Sequence, residues 1–245
     1  MLSFKSMKIH KKALIIAASI LIIGVLAIPL FSQAPIFQSI IHSIDLYQPQ
    51  PLPESSNIPI SFTSQAPQGN WQEPWQNACE EAAIVMVENF YKEEKLDPAK
   101  ARQEILEVFK LKKETAPASK DESLERIEEI INSGQLNWQV RIVNNPTLEA
   151  IKEELAAHRP IIAPTYAPTL ANPNYDSYGS MYHVIVITGY DDKSKEFITQ
   201  DPGIKDGKNY RYSYDVLIKS LHDYLENKDY ASGAKRVLFT KYVDY

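Results

Sequence analysis

One cysteine, Cys79, is all that the chain has. A single thiol can form no internal disulfide, and a four-cysteine zinc site is excluded. Glycine is scarce, at eight residues against sixteen prolines in 245, which argues against a collagen-like or low-complexity chain. Basic charge is sparse in the body. Lys5, Lys8, Lys11 and Lys12 are the only charged side chains among residues 1–34, and the remainder holds 22 Lys and Arg against 31 Asp and Glu, a net of −9. An acidic body without a basic stripe lacks the electrostatic footprint of nucleic-acid binding. No internal repeat is visible. The five scattered histidines give no metal-ligand spacing, so neither metal nor cofactor is expected. At 44% hydrophobic and 23% charged residues, what is left is the composition of an ordinary globular protein, and the length fits one domain or two small ones.

The four lysines precede an unbroken apolar run from Ala13 to Leu30. Basic residues followed by an apolar stretch read as a secretion signal whose positive end stays in the cytoplasm. The run is longer than the ~7–15 residues of a cleaved signal's apolar region and fits the ~17–25 that span a bilayer. Ser32-Gln33-Ala34 offers a small-x-small cleavage site, but Pro35 follows it immediately and opposes cleavage. The expectation is an uncleaved single-pass anchor over residues 1–34 with the body outside the cytoplasm, or a secreted body if the signal is removed. Residues 35–57, rich in Pro, Ser and Gln, read as a tether. The folded domain is expected over 58–245.

Within the body, alternation at Ile58–Ser64 predicts a first strand, and a Pro/Gln/Trp-rich loop then leads to Cys79. Glu80–Glu94 reads as a helix, with Glu80 and Glu81 in the first turn where negative charge suits the macrodipole. Asp97-Pro98 opens a helix to about Leu111. Ser119 with Glu122 forms a capping box for a helix that stops at Gly134. A strand at Trp138–Val143 follows, then a helix opened by Asn145-Pro146 and a strand at Ile161–Pro164. A Tyr- and Pro-rich loop leads into His183–Tyr190, whose β-branched run marks a buried strand. Asp191-Asp192-Lys193 is turn chemistry, and Glu196–Thr199 returns as a strand. A helix at Tyr214–Leu225 and a strand at Val237–Tyr242 close the chain. Helices first and antiparallel strands second make an α+β arrangement.

Free cysteine is usually a small buried hydrophobe, but Cys79 sits where a loop becomes a helix. Backbone N–H groups and the helix dipole there favour a thiolate, and the first turn of an amphipathic helix tends to face a cleft. A nucleophilic thiol needs a base, and the base an orienting group. His10 and His42 fall in the leader and the tether, His158 stands at a helix end where capping explains it, and His222 reads as solvated mid-helix. His183 begins a strongly apolar strand straight after a loop. Asp201 ends the partner strand, and antiparallel pairing places the start of one strand beside the end of the next. The hairpin therefore brings imidazole and carboxylate together.

These segments, ISFTSQAP through QNACEEAAIVMVENFY, then NPNYDSYGSMYHVIVITGYDD and FITQDPG, resemble the C39-like family of papain-like cysteine peptidases. The resemblance implies a papain-like fold with an N-terminal helical part packed on a C-terminal antiparallel sheet. It implies Cys79 as nucleophile, His183 as general base then acid, and Asp201 as orienter, hydrolysing peptide bonds of a peptide or protein substrate through a thioester. In this family a Gln upstream of the cysteine donates to the oxyanion. Gln65 and Gln76 both compete for that role, while Glu73, six before the cysteine, cannot donate when ionised. The chain has no Walker A glycine loop and one apolar span, so the export role of relatives fused to a multi-span ATPase exporter is not expected. Three readings stay open: a membrane-anchored cysteine peptidase, a Cys-dependent acyltransferase or cell-wall amidase, and a non-catalytic peptide-binding domain. Trp71, Trp75, Tyr166, Tyr175, Tyr178 and Tyr182 crowd the loops beside the thiol, as a cleft wall or as loop packing. A thiolate–imidazolium pair would act from mildly acidic to neutral pH.

Overall fold

A seven-stranded, wholly antiparallel sheet carries the molecule, in the spatial order Trp138–Asn144, Arg236–Tyr242, Ile161–Tyr166, Tyr182–Asp191, Glu196–Gln200 and Tyr210–Ser213, with the short strand Ser55–Asn57 on Tyr182–Asp191. The computed structural model describes residues 51–115, 121–133, 136–175, 181–226 and 229–243. In chain order the elements are β1 (Ser55–Asn57), α1 (Cys79–Tyr91), α2 (Pro98–Thr115), α3 (Leu124–Asn132), β2 (Trp138–Asn144), α4 (Leu148–Ala156), β3 (Ile161–Tyr166), α5 (Ala167–Leu170), β4 (Tyr182–Asp191), β5 (Glu196–Gln200), β6 (Tyr210–Ser213), α6 (Tyr214–Ser220) and β7 (Arg236–Tyr242). This is the α+β class with an antiparallel sheet. Three strands precede the β4–β5 hairpin, so the division into helices and then strands is looser than the sequence suggests. Among the described residues no helix is long and apolar enough to cross a membrane. The expected span at 1–34 and residues 35–50 of the expected tether lie outside them.

β4 is the axis. Nine of its residues, Tyr182–Tyr190, are buried, because β3 and then β1 line one edge, β5 lines the other and α1 packs across it. Such a strand needs β-branched side chains at consecutive positions rather than alternation, and Val184, Ile185, Val186 and Ile187 supply them, each wholly buried. α1 brings Ile84, Met86 and Val87 into the same core. α3 buries Leu124, Ile127, Ile130 and Ile131 at helical spacing and packs on β2 and β7.

Several boundaries differ from expectation for local reasons. The first strand is Ser55–Asn57 rather than Ile58–Ser64, so the sheet starts inside the stretch read as tether. Ile58 and Ile60 are buried, but Pro59 between them has no N–H for a ladder. β1 approaches so closely that a Cβ at Gly189 would stand 2.2 Å from the Ser56 carbonyl oxygen. α3 starts at Leu124 after Ser123 rather than from a box with Ser119, which lies outside the described residues; the Glu122 N–H goes to Glu80 Oε1 at 2.9 Å. Thr147, not Asn145, caps α4, accepting from Ala150 N–H. α6 stops at Ser220, where Leu221 bridges to Thr165. His222 therefore lies beyond the helix, half-buried, 6.0 Å from the Tyr166 ring.

Candidate active site

The β4–β5 hairpin delivers the first two side chains. Val186 pairs with Gln200, so position 201 falls beside 185 and its side chain reaches diagonally to 183 on the same face. His183 Nε2 lies 2.8 Å from Asp201 Oδ1. The Thr165 hydroxyl donates to the His183 carbonyl at 2.8 Å and fixes its backbone. Asp201, fully buried, accepts three further bonds: Gly203 N–H to Oδ1 at 3.0 Å, and the Tyr175 and Tyr212 hydroxyls to Oδ2 at 2.6 Å each. Burial alone would raise this carboxyl, but the charge of His183 and the bonds from His183, Tyr175 and Tyr212 outweigh it and hold it below the usual aspartate value. Both tyrosine hydroxyls are pushed up by burial and by the carboxylate they serve. The Tyr175 ring stands edge-on to the imidazole, 5.3 Å between centroids.

Gly203 closes the other side of the ring. A Cβ there would lie 2.7 Å from His183 Cε1 and 2.9 Å from Nε2. Gly203→Ala is expected to displace the imidazole and destabilise the fold by about 1–3 kcal/mol, a loss that urea unfolding would read directly.

Cys79 is the first residue of α1, following a 3-10 turn at Trp75–Asn77. Contrary to expectation it is 3% exposed and packed within the apolar core. Its thiol donates to Glu80 Oε2 at 3.1 Å. Burial pushes the thiol well above its ordinary value, the Glu80 carboxyl adds to this and Asp121 contributes further. A backbone hydrogen bond from Val184, next to His183, works the other way. The lowered thiol expected of a helix N-terminus is thus reversed by desolvation and a neighbouring acid. Among the described residues no hydrogen bond joins Cys79 to His183, and His183 Nδ1 makes none.

Of the two glutamines, Gln65 comes to the site and Gln76 does not. Gln65 is buried between its halves: its N–H donates to the Pro202 carbonyl at 2.9 Å, and its Nε2 to the Trp75 carbonyl at 3.0 Å. Its Oε1 is buried without a partner. Gln76 is exposed and donates to Glu73 Oε1 at 2.6 Å. The aromatic residues do not form one wall. Tyr175 serves Asp201, and Tyr182 is a core residue donating to the Glu122 carbonyl. Trp75 is buried under Arg102, Tyr166 is half-buried, and Tyr178 lies outside the described residues. Trp71, 39% exposed, lines a cavity of about 470 Å³ with Phe62, Pro67, Leu96 and Lys205.

Two site residues escaped the sequence. Tyr212 is not among the candidates above, although its two-residue alternation with Tyr210 signals an inward side chain. Glu80 looked like a first-turn charge, although its place directly after the cysteine was the clue. Among the described residues no group of three or more His, Cys, Asp or Glu could hold a metal ion.

A sequence model of the Peptidase C39 like family matches residues 57–232. Among solved structures, the chain is similar to a Bacillus anthracis protein described as a C39-like peptidase. That match has 12% identity and a TM-score of 0.50, covering 78% of this chain and 100% of the other. Xylellain, a cysteine protease from Xylella fastidiosa, matches at 14% identity and a TM-score of 0.40, over 79% of this chain and 88% of its own. No curated protein sequence matches. At 12% identity the Bacillus likeness speaks for the fold alone.

Proposed function

The chain belongs to the Peptidase C39 like family, and from that membership we propose that it is a membrane-anchored cysteine peptidase acting outside the cytoplasm through Cys79, His183 and Asp201. One observation carries the catalytic reading. The His183 ring is held by Asp201 at Nε2, which leaves Nδ1 for a thiol, and the Val184 backbone next to it hydrogen-bonds the Cys79 sulfur. The basic leader and the apolar run Ala13–Leu30 support the anchor.

In this reading the thiol turns from Glu80 to the imidazole, a tightening common between a free enzyme and its complex. His183 Nδ1 takes the proton as the sulfur attacks the peptide carbonyl. The tetrahedral intermediate collapses when the same nitrogen returns its proton to the departing amine. A water, deprotonated by His183, then hydrolyses the thioester. Asp201 holds the ring and balances its charge throughout. Gln65 has one amide N–H on Trp75 O and a second to offer the oxyanion.

The test uses the full chain in carbonate-washed membranes, offered a peptide library and a panel of peptidoglycan fragments. Peptide cleavage is expected in the membrane fraction, absent in Cys79→Ala. Gln65→Ala should lower turnover by ~10²–10³-fold, whereas Gln76→Ala should leave it unchanged. Cleavage of wall fragments in place of peptides, or peptide cleavage indifferent to Cys79, would overturn the assignment.

A further inference from the structure

Beside the thiol lies a carboxyl that the mechanism above does not use. Glu80 is 2% exposed, and its two oxygens have different work. Oε1 accepts the Glu122 N–H at 2.9 Å, and Oε2 faces Cys79 Sγ at 3.1 Å. A proton carried by this carboxyl therefore belongs on Oε2, toward the sulfur. Among the described residues Glu80 makes no ion pair. The nearby ammonium, Lys112 of α2, is held by Glu81 Oε1 at 2.9 Å and Glu122 Oε1 at 3.3 Å.

We propose that Glu80 acts directly on the Cys79 sulfur: protonated, it donates to the thiolate and steadies it; ionised, it keeps the proton on the thiol. This rests on the reading of Cys79 as nucleophile. The surroundings explain why both forms are accessible. On its own helix stand Cys79 and Glu81, on α2 Lys112, and on the segment before α3 Asp121 and Glu122. β4 presents Tyr182, and the C-terminal region presents Tyr230 and Asp223, the latter paired with Arg236. Burial and the charges of Glu81 and Asp121 oppose ionisation of Glu80, while Lys112 pairs with Glu81 and Glu122. Burial first, and then Glu81, push the Glu80 carboxyl up to about 8, with Lys112 opposing.

The proton inventory closes without another reactant. As Cys79 loses its proton to His183 Nδ1, the S–H bond breaks, an N–H bond forms, and the Glu80 O–H turns from a spectator into a donor to S⁻. Once the carboxyl ionises, its negative charge beside the sulfur disfavours the thiolate, and the thiol donates to Oε2 instead. Reactivity should then fall as pH rises, opposite in sign to an ordinary thiol.

Because Cys79 is the only cysteine, iodoacetamide reads it without interference, and the full chain can be alkylated across pH as wild type and as Glu80→Gln. The amide keeps an oxygen for Glu122 N–H and an N–H for the sulfur but cannot ionise. The wild-type rate constant is expected to fall about tenfold between about pH 7 and about pH 9, with the variant flat within about twofold. A wild-type rate that climbs over that interval, or superimposable profiles, would overturn the proposal. If Glu80→Gln does not fold, the direction of the wild-type profile decides alone. Peptide hydrolysis separates the two readings: a Glu80-dependent profile on a chain that cleaves no peptide keeps this proposal and sinks the peptidase. Identical profiles on a chain whose cleavage needs Cys79 do the reverse.

Discussion

Removing His183 is expected to cost turnover as much as removing Cys79 itself. When nucleophile and base act as a unit, either deletion costs about 10⁶-fold and the double variant little more. The environment of the sulfur sharpens this expectation. Burial, Glu80 and Asp121 all disfavour the thiolate, and the Val184 backbone opposes them. Without the imidazole to take the proton, the side-chain partner left to the sulfur among the described residues is the Glu80 carboxyl. His183→Ala should therefore leave a thiol that alkylates at neutral pH more slowly than a free cysteine, rising only above the ordinary value of ~8.5. Paired measurements of peptide turnover and iodoacetamide labelling on wild type, Cys79→Ala and His183→Ala check this. Equal, slow labelling of wild type and His183→Ala would mean a passive thiol and a binding domain on this fold.

The buried strand at His183–Tyr190 was legible because burial on both faces demands β-branched side chains in succession, a composition that local sequence displays. β1 was not. Ser55-Ser56-Asn57 has no apolar pattern, and what makes it a strand is backbone pairing to Gly189, Tyr190 and Asp191, permitted by a glycine far along the chain. Conversely, alternation at Ile58 and Ile60 correctly signals burial, yet burial and pairing are separate properties. The ends of α3 and α6 depend on remote partners as well, Glu80 for the Glu122 N–H and Pro164 O for the His222 N–H. Capping rules that look a few residues either way cannot contain them.

The same division runs through the site. His183 and Asp201 could be joined from sequence because hairpin geometry is local and the register nearly fixed. The sulfur's surroundings could not be. A helix N-terminus favours a thiolate by a modest amount, and that contribution was readable. Lys112 lies 31 residues beyond Glu81 and pairs with Glu81 and Glu122, while Glu80 Oε2 faces the thiol. Desolvation of a buried carboxyl then outweighs the dipole. Nothing in CEEAA announces which glutamate faces Lys112 and which faces sulfur.

Asp201 should separate catalysis from stability according to what replaces it. Four donors converge on its two oxygens. In Asp201→Ala all four lose their acceptor inside the core, and breaking a buried charged pair typically costs about 3–5 kcal/mol, a loss expected in urea unfolding. Asp201→Asn behaves differently because the two donors on Oδ2 are tyrosine hydroxyls, which can rotate and accept. The amide nitrogen can therefore settle against Tyr175 and Tyr212, with its oxygen still facing His183 Nε2–H and Gly203 N–H. That arrangement preserves both the ring's orientation and the tautomer that presents Nδ1 to the thiol. The Asn variant should fold with a smaller loss of stability than the Ala variant. Its fall in kcat/KM should stay short of the ~10⁴-fold that a reversed tautomer brings in serine peptidases, since only the counter-charge to the imidazolium is gone. Acid supplies the control. A carboxyl held below its ordinary value stabilises the fold fully above ~3.9, and the contribution is lost as pH falls through the lower native value. Wild type should weaken in that strongly acidic window, whereas Asp201→Asn, having no proton to gain there, should lack this part of the decline. Equal acid sensitivity of the two, or an Asn variant as unstable as the Ala one, would show that Asp201 does not stand ionised among these four donors.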